Sequence, residues 1–177
     1  MIRHYLGHVA DALNHTPVGA IEHCVDILKA AKAEGKLVFT IGNGGSASTA
    51  SHFVNDLTKV GGIRAFCISD VTPTTLAYGN DDGWDNMFAR PVAKLALPGD
   101  ILFAISCSGQ SPNIIKAVEE AINHGMTVIG LTGDNFDCRL SQLALVTIKV
   151  LHPDIRVQED CHLAICHGIV GELMEVK

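Results

Sequence analysis

The chain has 177 residues, 47% of them hydrophobic, which is enough for one domain with a substantial core and rich for a soluble monomer. The formal net charge is −6 and no cluster of Lys or Arg occurs, which excludes the basic face that nucleic-acid binding requires. No apolar run reaches the length of a membrane span, and the first fifteen residues carry histidines and an aspartate where a secretion signal needs an apolar core. The six cysteines form no framework and no C-x-x-C pair, so the expectation is a cytoplasmic protein with reduced thiols and its surplus apolar surface buried between subunits.

Neither a repeat nor a linker interrupts the chain, which therefore reads as a single domain over residues 1–177. Over residues 1–34, Val9, Leu13, Val18, Ile21, Val25, Leu28 and Ala31 recur at threes and fours, predicting a long N-terminal helix with Gly35 at its C-cap. Beyond it, short β-branched runs alternate with helical patterns. Strands are predicted at 37–41, 64–69, 101–105, 127–131 and 146–150. Helices are predicted at 46–59, 73–79, 84–96, 112–124, 138–143 and 156–175. The strand runs are apolar on every residue, the pattern of a parallel sheet covered on both faces. Five such strands joined by helices predict a doubly wound α/β/α sandwich, with ligands gathering beyond the carboxyl ends of the strands.

Two of the loops at those ends carry chemistry. After the first strand, Gly42-Asn43-Gly44-Gly45-Ser46 leads into a helix, where glycines permit close backbone approach and Ser46 can cap free N–H groups. That is a seat for an anion or a sugar hydroxyl, or an ordinary tight turn. After the third strand, Ser106-Cys107-Ser108-Gly109-Gln110-Ser111-Pro112 brings three serines to a helix N-terminus, which suits a phosphate monoester. Serines also favour such positions for purely structural reasons. Two loops of this kind on one sheet favour the phosphate.

His52 and Asp56 lie four residues apart on the helix that follows the first loop, and so share a face. On the terminal helix Glu159 and His167 are eight residues apart, roughly 80° around the axis, a separation that long side chains can bridge. Asp160 is nearly aligned with His167, and Gln158 faces away from it. Two imidazoles with two carboxylates suit Zn²⁺ or another borderline divalent ion. The plainer reading is a helix histidine with a local Asp contact and an unrelated terminal pair. Asn80-Asp81-Asp82-Gly83 reads as a turn. His162 sits beside these groups without an assigned role.

Taken in order, G-N-G-G-S-A, H-F-x-x-D, N-D, S-x-S-G-x-S-x-N and E-D-x-H-x-x-x-x-H make the sequence similar to the sugar isomerase (SIS) family, in particular to its phosphoheptose isomerase branch. The resemblance runs from about residue 35 to the C-terminus. It implies a homotetramer with active sites at subunit interfaces and a phosphorylated sugar as substrate. By position it places Asn43, Gly44, Gly45, Ser46, Asn80, Asp81 and Glu159 against the sugar, and Ser106, Cys107, Ser108 and Ser111 around the phosphate. One Zn²⁺ per subunit would be held by His52, Asp56, Glu159 and His167. The chain departs from the pattern in three places: Asp56 stands for a glutamate, Cys107 for a threonine and Glu159 for a glutamine.

The reaction implied is aldose–ketose isomerisation through an enediol, converting sedoheptulose 7-phosphate to D-glycero-D-manno-heptose 7-phosphate. A general base, Asp56 or Glu159, removes the proton beside the carbonyl, and His167 serves as the acid. A metal would stabilise the charge developing on oxygen. The rivals are a non-catalytic tetrameric adaptor and a regulatory sugar-phosphate sensor.

Overall fold

The computed structural model describes residues 1–174. The N-terminal segment is two helices rather than one, α1 (Ile2–Asn14) and α2 (Val18–Ala33). Pro17 imposes the break: it lacks an N–H and disfavours helical backbone at Thr16, and it becomes the N-cap of α2. Gly35, at φ +66°, closes α2 as expected, with Lys36 N–H returning to the Ala31 carbonyl at 2.9 Å.

The chain continues as β1 (Val38–Ile41), α3 (Gly45–Lys59), β2 (Ala65–Cys67), α4 (Thr72–Asp81), α5 (Ala89–Leu95), β3 (Ile101–Ser106), α6 (Pro112–Asn123), β4 (Thr127–Thr132), α7 (Arg139–Leu143), β5 (Val146–Lys149) and α8 (Ile155–Leu173). Two expectations were too long. The strand over 64–69 ends at Cys67 and passes into a 3₁₀ turn, and the helix over 84–96 is a 3₁₀ turn at Trp84–Asn86 followed by α5. Glu175, the expected end of the terminal helix, lies outside the described residues.

All five strands are parallel, in the order β2-β1-β3-β4-β5. Their side chains divide by alternation between two cores. Ile101, Phe103 and Ile105 of β3 pack with α1, α2, α3 and α8, whereas Leu102 and Ala104 face α5, α6 and α7. Burial on both faces explains why the strands read as continuous apolar runs. The doubly wound α/β/α sandwich is therefore the observed fold.

This order also positions the site. From β1 the chain turns one way, through α3 to β2; from β3 it turns the other way, through α6 on the opposite face of the sheet. Neighbouring strands whose connections diverge leave a crevice at their carboxyl ends. The β1 and β3 loops meet there, with Ile41 in register with Ala104.

Candidate active site

The β1 loop enters α3 through Gly44, whose φ of +52° favours glycine, and it is braced by Ser69 Oγ, which accepts from Gly42 N–H at 3.1 Å. Gly45 has a second reason to be glycine. A Cβ there would lie 2.5 Å from Glu159 Oε1, so the carboxylate sits directly over the first turn of α3. That is the positive end of the helix dipole, where an anion is favoured.

The β3 loop folds its serines inward. Ser106 Oγ lies 3.5 Å from Ser108 Oγ and 3.4 Å from Ser111 Oγ, and it also accepts from Gly109 N–H at 3.2 Å. Ser111 is the N-cap of α6 but makes no side-chain capping bond, so its hydroxyl remains available to a ligand. The two loops enclose a cavity of about 160 Å³, lined by Asn43, Ser46, Ser106, Cys107, Ser108, Ser111 and Glu159, with Ile105 and Ile155 as apolar walls. Three hydroxyls at a helix N-terminus form an anion seat that needs no cation.

Cys107 is the one half-buried thiol; the other five cysteines are buried, and all six are free. Burial pushes its thiol up to about 11, the Glu159 charge adds to the rise, and a hydrogen bond with Ser46 opposes it. The group therefore stays a thiol, a weaker donor than a hydroxyl. Behind it His162 is fully buried, with Nε2 at 3.0 Å from the Thr132 carbonyl and Nδ1 at 4.0 Å from Cys107 Sγ. Burial drives its pKa down to about 4, so the ring is neutral, donates to Thr132 and turns a lone pair to the thiol.

A second cluster lies on the helix surface. His52 and Asp56 of α3 meet His167 of α8. Asp56 Oδ2 is 3.3 Å from His52 Nε2 and 3.6 Å from His167 Nε2, and the two Nε2 atoms are 3.3 Å apart. Zinc bonds of about 2.0–2.1 Å place tetrahedral ligands about 3.3 Å from one another. The three donor atoms thus match one face of a zinc tetrahedron, with ligand types that suit the ion.

Glu159 is not among the groups gathered there. The angular separation of roughly 80° misleads, because eight residues also rise about 12 Å along a helix. Within the chain Glu159 belongs to the cavity and His167 to the cluster. Asn80 and Asp81 are likewise not in the cavity lining; they are exposed in the last turn of α4, bonded to each other at 2.8 Å. Their region is helical up to Asp81, and the turn begins only at Asp82.

A SIS domain family model matches residues 3–133. The chain belongs to the SIS domain family. It is 35% identical to a phosphoheptose isomerase of Shewanella denitrificans over 162 residues, covering 87% of this chain and 82% of that one. A Shewanella oneidensis phosphoheptose isomerase is 36% identical over 172 residues, covering 93% and 85%. Among solved SIS structures, a phosphoheptose isomerase from Francisella tularensis superposes with a TM-score of 0.88 at 29% identity, over 97% of this chain and 93% of that one. Phosphoheptose isomerase GmhA from Neisseria gonorrhoeae gives 0.88 at 27%, over 97% and 94%. Against this SIS frame, Asn113 and Ser69, like His162, are residues that sequence reasoning left without a role. Asn113 closes the S-x-S-G-x-S-x-N motif and bonds to Asn43; Ser69 has no sequence signal.

Proposed function

We propose that the protein is an aldose–ketose isomerase that converts sedoheptulose 7-phosphate to D-glycero-D-manno-heptose 7-phosphate. The observation that carries this reading is the convergence of Ser106, Ser108 and Ser111 on one cavity that also holds Asn43, Ser46 and a carboxylate, Glu159. Hydroxyls and helix N–H groups take the dianionic ester, and Asn43, Ser46 and Glu159 face the polyol. The phosphoheptose isomerase relatives, matched over most of their length, support the same substrate.

The isomerisation moves one proton between adjacent carbons and one between adjacent oxygens, with no net redox change. A carboxylate takes the proton from C1 of the ketose, and the enediol is reprotonated at C2. Asp56 and Glu159 are the candidate bases, and they stand in different surroundings: Asp56 between two imidazoles, Glu159 in the cavity. His167 is the proposed acid. Zn²⁺ would be held by His52, Asp56 and His167 and would polarise the carbonyl and hydroxyl oxygens. With the ion bound, Glu159 is the carboxylate left free to act as base, and His167 acts as acid only while its Nε2 is off the metal. Asn80 and Asp81 retain a proposed sugar contact only through assembly, since they do not line this chain's cavity.

Homotetramer formation with sites at subunit interfaces is part of the proposal. Exposed Ile2, Leu6 and Val18 on α1 and α2 offer apolar surface for it. No described helix is long and apolar enough to cross a membrane, and the six free thiols fit a cytoplasmic setting.

The deciding experiment incubates the protein with sedoheptulose 7-phosphate, with and without a chelator, and follows the products by NMR. The aldose should form and the chelator should abolish it. Binding of the sugar phosphate without turnover, zinc restored, would instead support a sensor.

A further inference from the structure

Asn113, the second residue of α6, is fully buried in the face of the sheet packed by Ile114, Ala117 and Val118. Its carboxamide is saturated. Oδ1 accepts from Ile114 N–H at 3.0 Å and from Asn43 Nδ2 at 3.0 Å. Nδ2 donates to Asn43 Oδ1 at 2.9 Å and to Met87 Sδ at 3.4 Å. An amide offers two donors and two acceptor positions, so none is left for a substrate. Asn43 is different: half-buried and lining the cavity, it spends one N–H and one lone pair on Asn113 and keeps one of each.

The pair has only one orientation. Turning the Asn113 amide would set its NH₂ against the Ile114 N–H, a donor against a donor in a site sealed from water. With Asn113 fixed, Asn43 cannot turn without losing both bonds. We infer that Asn113 is a positioning residue that fixes which end of the Asn43 carboxamide, donor or acceptor, faces each part of the sugar. This matters for an isomerase because a carbonyl oxygen only accepts, whereas a hydroxyl both donates and accepts. The N–H of Asn43 can serve either oxygen, but its fixed Oδ1 can accept only from the hydroxyl, so that lone pair selects which of two adjacent oxygens it holds. The polarity is set at a backbone N–H of α6, so the loop that seats the phosphate also orients the group that reads the sugar.

The activity arm of the test rests on the proposed isomerase reading; an exchange arm does not. Asn113→Asp keeps the acceptor for Ile114 and removes the donor to Asn43, and Asn113→Leu removes both. Each is made alone and in an Asn43→Ala background, with kcat/KM measured on sedoheptulose 7-phosphate and Ki on inorganic phosphate. Both variants should lower kcat/KM about tenfold or more, the worth of a hydrogen bond in a buried site. They should leave the phosphate Ki within about twofold, and cost nothing further once Asn43 is alanine. Equal costs in the two backgrounds, an unchanged kcat/KM, or a phosphate Ki that rises in step with the loss would overturn the inference in favour of a merely structural asparagine. Should neither variant fold, the wild-type protein decides. Side-chain amide protons protected from solvent exchange, both on Asn113 and one on Asn43, by ¹⁵N NMR support the clasp, and rapid exchange of both Asn43 protons with free χ2 motion overturns it. An inactive wild-type protein whose two amides are protected supports the clasp while sinking the isomerase reading.

Discussion

The cavity at the crevice between β1 and β3 and the cluster across α3 and α8 differ in almost every physical respect. The cavity is made of hydroxyls, amides and N–H groups belonging to strand ends and helix starts, so the sheet order itself assembles it. The cluster is made of two half-exposed imidazoles and an 18% exposed carboxylate on helix faces, held by no element built for them. Exposed ionic groups add little to stability, whereas buried polar groups must be satisfied or the fold suffers. On the proposed function the cavity thus serves fold and binding together, with Glu159 its one candidate for the chemistry, and the cluster serves the chemistry without supporting the fold.

The widest separation between the two should come from His167→Ala. Loss of a proton-transfer group costs about 10²–10⁴ in rate, with little change in melting temperature because the side chain is exposed. Turnover by NMR, metal content and a thermal melt check it together; a near-normal rate ends the assigned role. The cavity side answers in stability. His162 has a folded pKa of about 4 against an ordinary 6.5, so the unfolded chain binds more protons between those values. Stability from the neutral ring is complete above about pH 6.5 and falls as pH drops toward 4, by about 3 kcal/mol in all. The acid limb of a melting-temperature profile should be shallower in His162→Gln; an unchanged limb refutes the assignment to this ring.

A smaller effect is expected from Ser111→Ala. Removing one hydroxyl bond to a charged phosphate should raise KM by about tenfold or somewhat more, with kcat nearly intact. Steady-state kinetics resolves this, and a fall in kcat at constant KM would move Ser111 out of the phosphate seat. Smallest of all is Gly45→Ala. The added Cβ displaces the Glu159 carboxylate, the end of a flexible side chain, so a several-fold loss of kcat/KM is expected with stability altered by less than about 1 kcal/mol. A large drop in stability would mean that Glu159 is rigidly held rather than displaced.

Much of this was legible before any coordinates. The apolar runs of β1, β3 and β4, the glycine and serine loops after them, and the i,i+4 spacing of His52 and Asp56 all declare themselves locally, and the structure places each where periodicity predicts. Apolar periodicity alone passed over the division of the first helix at Pro17, because helical spacing resumes on its far side, although the proline itself is a local stop signal. Spacing does separate Glu159 from His167, since eight residues rise about 12 Å along a helix, but which of the two meets His52 and Asp56 depends on how α8 packs against α3.

The sequence by itself determined the element types, the parallel doubly wound sheet and the residue kinds that suit a phosphate and a divalent ion, because these follow from periodicity, turn chemistry and donor type. Only the tertiary structure decided which distant groups share a site: Asn43 with Asn113, Glu159 with Gly45, and His167 with His52 and Asp56. Such pairings join residues 70 to 115 positions apart, and they are set by how α3 and α8 pack on one face of the sheet and how α6 of the other face meets the β1 loop at the strands' carboxyl ends, which no local spacing encodes.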